Sequence, residues 1–155
     1  MLLYWAAMEW FPVPDVGAGS YEKGANFSAW VDNLFLQGHM WSQTKTWDPE
    51  GIVSTLPAIS TTLFGVLTGQ LLRRSIEPME KVAQMLVYGN IVMAIGLTWH
   101  HWLPINKSLW TSSYAFFMSG MAMVVLGISY YLIDFRLTCL PFNQTDVSLD
   151  LLKSI

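Results

Sequence analysis

Charged residues are absent from three stretches of the chain: 51–72, 82–99 and 108–133. Each is close to the ~20 apolar residues that cross the hydrocarbon of a bilayer. The pattern predicts helices over about 49–72, 80–101 and 108–133. Arg73 and Arg74 end the first, and Asp134 and Arg136 the last. Pro57 falls inside the first span, where a missing N–H predicts a kink. Gly65 and Gly69 form the small-xxx-small pair that lets membrane helices approach closely. Asn90 lies near the middle of the second span, and Ser112, Ser113, Ser119 and Gly120 offer small faces on the third.

The segments around the spans have a different pattern. Residues 1–11 are an apolar helical stub stopped by Pro12 and Pro14. It reads as the end of a membrane helix: Glu9 and the lack of a basic start argue against a signal peptide. Within the Gly-, Ser- and Trp-rich loop 15–47, FSAWVDNLFL (27–36) spaces Phe27, Trp30, Val31, Leu34 and Phe35 along one helical face. That face suits an amphipathic helix lying at the membrane surface. The predicted class is all-α: a polytopic transmembrane helix bundle with three full spans, an N-terminal helix stub and a surface amphipathic helix. It occupies 1–136, followed by a polar tail, 137–155, too mixed for another span.

Composition strengthens this reading. Of 155 residues, 53% are hydrophobic and 12% charged, against about 25% charged in soluble domains. Hiding three all-round apolar helices in a soluble core of this size is a poor alternative. The net charge of −3 comes with no basic tract, so nucleic acid is not an expected partner. The single cysteine, Cys139, allows neither an internal disulfide nor a cysteine metal cluster. Arg73, Arg74, Lys81 and Arg136 fall on one side of the predicted spans, which the positive-inside rule makes cytoplasmic. The 12–48 loop and the 102–107 turn are then outside.

The chemistry-bearing residues collect on that outer side. In TWDPEG, Asp48 suits an N-cap, Pro49 a first helical position and Glu50 a first turn facing the positive end of the helix dipole. A structural role explains all three. A polar pocket is the other reading. If the first two spans pack side by side, Asp48 and Glu50 share a face with His100 and His101, with Asn106 and Lys107 in the next turn and with His39. A histidine beside an acid can move protons; anchoring beside Trp99 and Trp102 is the alternative for His100 and His101. Adjacent histidines point to different sides of a helix, so no metal site is expected.

DPEGIVSTLPAISTTLFGVLTGQLLR (48–73) followed by LPINKSLWTSSYAFFMSGMAMVVLG (103–127) resembles the membrane acyltransferase-like proteins related to heparan-α-glucosaminide N-acetyltransferase. YWAAMEWFPVPDVGAG (4–19) resembles the stretch before DPEG in bacterial members, which points to a bacterial inner membrane. The resemblance covers about residues 2–136. It implies acetyl transfer from cytoplasmic acetyl-CoA, as co-substrate, to an amino sugar on the opposite face. It also implies about ten spans in a full protein, of which this chain matches the C-terminal half. The histidine that the family uses lies in the other half, so no catalytic residue is assigned here. The expectation is a piece that works with further membrane helices and is inactive alone. The competing expectation is a non-enzymatic membrane module, an assembly partner or part of a sugar or lipid transporter.

Overall fold

The protein is described by a computed structural model covering residues 1–44 and 46–136. Lys45 and the polar tail expected at 137–155 lie outside the described residues. Among the described residues five α-helices follow one another: α1 (Leu2–Trp10), α2 (Phe27–Phe35), α3 (Thr55–Leu72), α4 (Pro78–Trp99) and α5 (Ser112–Tyr130), the last running into a π-helical turn, Tyr131–Arg136. Two isolated bridges, Val13–Gly17 and Glu22–Ala25, are the β-type pairings formed among these residues. Three of the described helices are long and apolar enough to cross a membrane: Thr55–Leu72, Pro78–Trp99 and Ser112–Ile133. Many of their large apolar side chains are exposed, among them Leu63, Val66, Leu67, Val87, Ile91, Ile95, Val125 and Ile128. Such a surface is stable in lipid and would associate or aggregate in water.

α4 and α5 are the tightest pair, and four glycines make them so. A Cβ on Gly89 would lie 2.8 Å from Val124 and 2.9 Å from the Gly120 carbonyl. One on Gly96 would lie 2.9 Å from the Ser113 carbonyl, and one on Gly120 would meet the backbone of Met93 and Gly89. Gly127 faces Met85 at 3.1 Å. The stripe is spaced by seven residues on each helix (89 and 96; 120 and 127), so the two backbones meet along nearly two turns. α3 leans chiefly on α5. Phe64 meets Phe116 edge-on at 5.1 Å, and the Trp110 indole N–H donates to Thr61 Oγ1 at 3.3 Å.

Three expectations change here. First, α3 does not lie mainly beside α4; α5 is its principal neighbour. Second, Gly65 and Gly69 touch nothing within 4 Å of where a Cβ would stand. They line an open apolar groove of about 480 Å³ between α3 and α5. Third, the helix starts at Thr55, not near 49. Residues 48–54 form consecutive turns, with Gly51 N–H on the Asp48 carbonyl at 3.2 Å and Thr55 N–H on the Gly51 carbonyl at 3.3 Å. Pro57 therefore falls in the first helical turn, where its missing N–H would have had no helical partner, so it starts the helix and gives no ground for a mid-helix kink.

The two ends of the bundle are closed differently. At one end Leu71, Met85 and Met123 form a small cluster with Leu72, Ile76 and Tyr130. There the Lys81 ammonium donates to the Leu72 carbonyl at 2.9 Å, a favourable cation at a helix C-terminus. At the other end Tyr4, Met8, Val53, Leu103 and Leu109 make a core, with Trp5, Tyr21, Phe27, Val31 and Trp99 packed on it. Tyr4 ties α1 to the later turn by donating to the Leu109 carbonyl at 2.7 Å, and Ser112 Oγ donates to the Met1 carbonyl at 3.0 Å.

Candidate functional site

The polar residues sit on this second, capped end. α2 is amphipathic, but the residues it buries fully are small or polar, Ser28, Ala29 and Asp32, while Phe27 and Val31 are half-buried against the core. Leu34 and Phe35 stay 61% and 68% exposed, as suits a helix whose apolar side meets lipid. Asn26 caps it, accepting from Ala29 N–H at 2.9 Å. Phe27 and Trp30 of α2 gather with Phe11, with ring centres 4.8 to 6.2 Å apart.

Asp48 holds a turn. Its Oδ1 accepts from Glu50 N–H at 2.9 Å, and its Oδ2 accepts from Trp41 N–H at 3.0 Å. The first is an Asx-type bond, the same chemistry as an N-cap without the helix behind it. The second draws the loop at 41 onto the DPEG turn. Together they shape a depression of about 400 Å³ lined by His39, Trp41, Asp48, Pro49 and Glu50. His39, Trp41 and Glu50 are exposed at its rim. Three of the residues singled out in the sequence thus share one small polar basin with an indole.

The other four lie elsewhere on the same capped end. His100 Nδ1 accepts from Ile105 N–H at 3.0 Å and pins the turn after α4. His101 is exposed and meets Trp102 edge-on. Asn106 Oδ1 accepts from Ser108 N–H at 2.9 Å, while its own N–H donates to Thr111 Oγ1 at 3.0 Å. Thr111 in turn donates to the Pro104 carbonyl and caps α5 by accepting from Tyr114 N–H. Lys107 is exposed to solvent. PINKSLWT is therefore a self-bonded turn that launches α5. Val53, Leu103 and Leu109 link it to the DPEG turn through the shared core.

Asp32 is the residue that pattern reading passed over. It is fully buried. Oδ1 accepts from Ile52 N–H at 3.0 Å, and Oδ2 has no hydrogen-bond partner among the described residues. Gly51 lies against this carboxyl so closely that any Cβ there would collide with it. Burial raises the carboxyl's pKa. The amides of Ile52 and Asp48 pull it back down, and the charge of Asp48 pushes it up again. A second acid, Glu9, accepts from the Tyr21 hydroxyl. Burial, then that bond, raise the Tyr21 phenol above its ordinary value. The available signal for Asp32 was its register, i+3 and i+4 from Ala29 and Ser28, in line with small residues that admit another backbone.

Three long lipid-facing helices under a polar, aromatic cap define an integral membrane protein. No family model matches the chain. It is similar to the heparan-alpha-glucosaminide N-acetyltransferase of Homo sapiens, 26% identical over 141 residues that cover 77% of this chain and 21% of that protein. The Mus musculus protein of the same name is 25% identical over 162 residues, 85% of this chain and 25% of that protein. Similarity over most of its length supports a relation between this chain and these acyltransferase-like membrane proteins, as the sequence resemblance led us to expect. The chain spans about a fifth to a quarter of the length of the relatives it matches.

Proposed function

We propose that this chain forms the acceptor-binding cap of a membrane acetyl transfer, in which acetyl-CoA donates and an amino sugar accepts. The observation that carries this reading is the basin of His39, Trp41, Asp48, Pro49 and Glu50, built by the DPEG segment that also carries the family resemblance. An exposed indole offers an apolar face to a sugar ring. Two carboxylates beside it attract an ammonium. Those same charges favour the protonated amine. Asp48 and Glu50 therefore suit binding and orientation, and the base that frees the amine for attack on the thioester belongs to another part of the assembly. His100, His101, Asn106 and Lys107 shape and flank the neighbouring turn.

The cap is placed outside, with loop 73–81 on the cytoplasmic side of a bacterial inner membrane. Cysteines at Ser42 and Ser75 then label from opposite faces, and labelling of both from one face removes this arrangement. Glucosamine titrated into the full chain in lipid nanodiscs is expected to bind at the cap. Glu50→Gln, which removes charge and little volume, weakens that binding without changing expression or thermal stability. Undiminished binding by Glu50→Gln would show that the basin is not the acceptor site. The chain alone is expected to transfer no acetyl group from acetyl-CoA to glucosamine, and turnover well above background would overturn the division of labour.

A second reading, a non-enzymatic assembly module, is favoured by the uncovered Gly65–Gly69 groove between α3 and α5. It predicts stable association with other membrane helices and no binding of glucosamine at all.

A further inference from the structure

We propose that Asp32 is the positioning residue of the outer basin: from α2 it clamps the back of the 48–52 turn, and through Asp48 it sets where Trp41 and Glu50 stand. The inference rests on reading that basin as the acceptor site, but its geometry is independent of any activity. A buried carboxyl accepts from Ile52 N–H at 3.0 Å. Gly51 leaves no room for any side chain between that carboxyl and the turn. On the front of the same turn, Asp48 accepts from Glu50 N–H and from Trp41 N–H. The turn is held between two acids, one in the core and one in the basin, and the front acid can reach Trp41 only while the back acid fixes the backbone.

This arrangement has a chemical signature that simple packing lacks. The titratable groups facing Asp32 are Asp48 on the turn and Tyr4 from α1, and it makes no ion pair among the described residues. Burial raises its pKa, so its charge is gained above the ordinary carboxylate range. Oδ2 has no hydrogen-bond partner among the described residues, and the amides of Ile52 and Asp48 offset the cost of burying the charge only in part. Ionisation of Asp32 therefore has to be felt by the turn and passed to Trp41.

The test uses the full chain in lipid nanodiscs, labelled with 5-fluorotryptophan. The Trp41 resonance is assigned by its loss in Trp41→Phe. In the wild type the resonance is expected to titrate with a midpoint above the ordinary carboxylate range. In Asp32→Asn, which keeps shape and one acceptor, that titration disappears while the unfolding temperature changes little. An identical titration in wild type and Asp32→Asn overturns the proposal, because the signal would then belong to Asp48, Glu50 or His39 alone. If Asp32→Asn does not fold, a background carrying His39→Gln and Glu50→Gln decides the matter: both sites are exposed, and the Asp48 bonds that pass the signal to Trp41 are kept. There the Trp41 resonance must still titrate above the ordinary carboxylate range, and a flat response in that range overturns the proposal. Glucosamine separates the two readings. If it leaves Trp41 unmoved while the Asp32-dependent titration persists, the acceptor reading fails and the clamp stands.

Discussion

Two sets of glycines lie in this bundle, and they do opposite things. Gly89 on α4 meets Gly120 on α5, Gly96 meets the backbone at Ser113 and Phe117, and Gly127 meets Met85, so the two helices close over all four. Gly65 and Gly69 on α3 have the better-known four-residue spacing and face an open groove. The difference is in the partner. At the centre of the α4–α5 pair Gly120 answers Gly89 directly, so each backbone enters the gap the other leaves. Towards α3, α5 sets Tyr114, Met118 and Met123 around the small Ser119 and Ala122, and the larger side chains hold the backbones apart. A small-residue pair permits close approach, and the side chains of the facing helix decide whether it is used.

The sharpest way to break this contrast is to fill a glycine on each side. Gly120→Leu drives a side chain into the backbone of Met93 and Gly89, and overpacking of this kind should cost on the order of 3 kcal/mol. Thermal unfolding in detergent measures it, and a loss of a few tenths would mean that α4 and α5 do not meet as described. The capped end gives an intermediate effect. Asp48→Ala frees two backbone N–H groups at Trp41 and Glu50 and is expected to cost about 1 kcal/mol, as for a lost cap. Asp48→Asn keeps one acceptor oxygen and falls between Ala and wild type. Gly69→Ala meets open space and should stabilise α3 by roughly 0.5–1 kcal/mol. A clear loss of stability or of association instead would mean that another helix occupies the groove in the bilayer.

The smallest effect is one of pH. Asp32 has a raised pKa in the folded chain, so between the unfolded value, about 4, and the folded one the native state holds more protons than the unfolded state. Stability from this group is then greatest below about pH 4 and is lost as pH rises through the folded pKa. Asp32→Asn should flatten that slope while the Gly120 variant keeps it, and urea titrations at several pH values decide between them.

The spans were legible because a charge-free apolar run of that length can hardly be buried anywhere but in lipid. The start of α3 was not. Asp-Pro-Glu-Gly satisfies the rules for a helix N-terminus and the rules for a turn equally well, since in both a carboxylate accepts from a backbone N–H two or three residues on. Pro57 was the better marker, because a proline is tolerated in a first turn and disruptive later. The basin was half legible. Asp48, Glu50 and His39 do share it, but Trp41 joins through a backbone N–H that no side-chain pattern encodes. Asp32 was hidden by amphipathic reasoning itself. The apolar face of α2 drew attention, whereas its fully buried residues are the small or polar Ser28, Ala29 and Asp32.

All eight tryptophans, at 5, 10, 30, 41, 47, 99, 102 and 110, lie outside the stretches 55–98 and 111–136. Trp5 meets Trp99 edge-on at 5.8 Å, across the cap. The protein's intrinsic fluorescence is therefore a lamp at one end of the molecule. In sealed vesicles a quencher that cannot cross lipid should darken nearly all of the emission from one side and almost none from the other. The insertion direction of each population of molecules can thus be read optically, with no tag and no mutation.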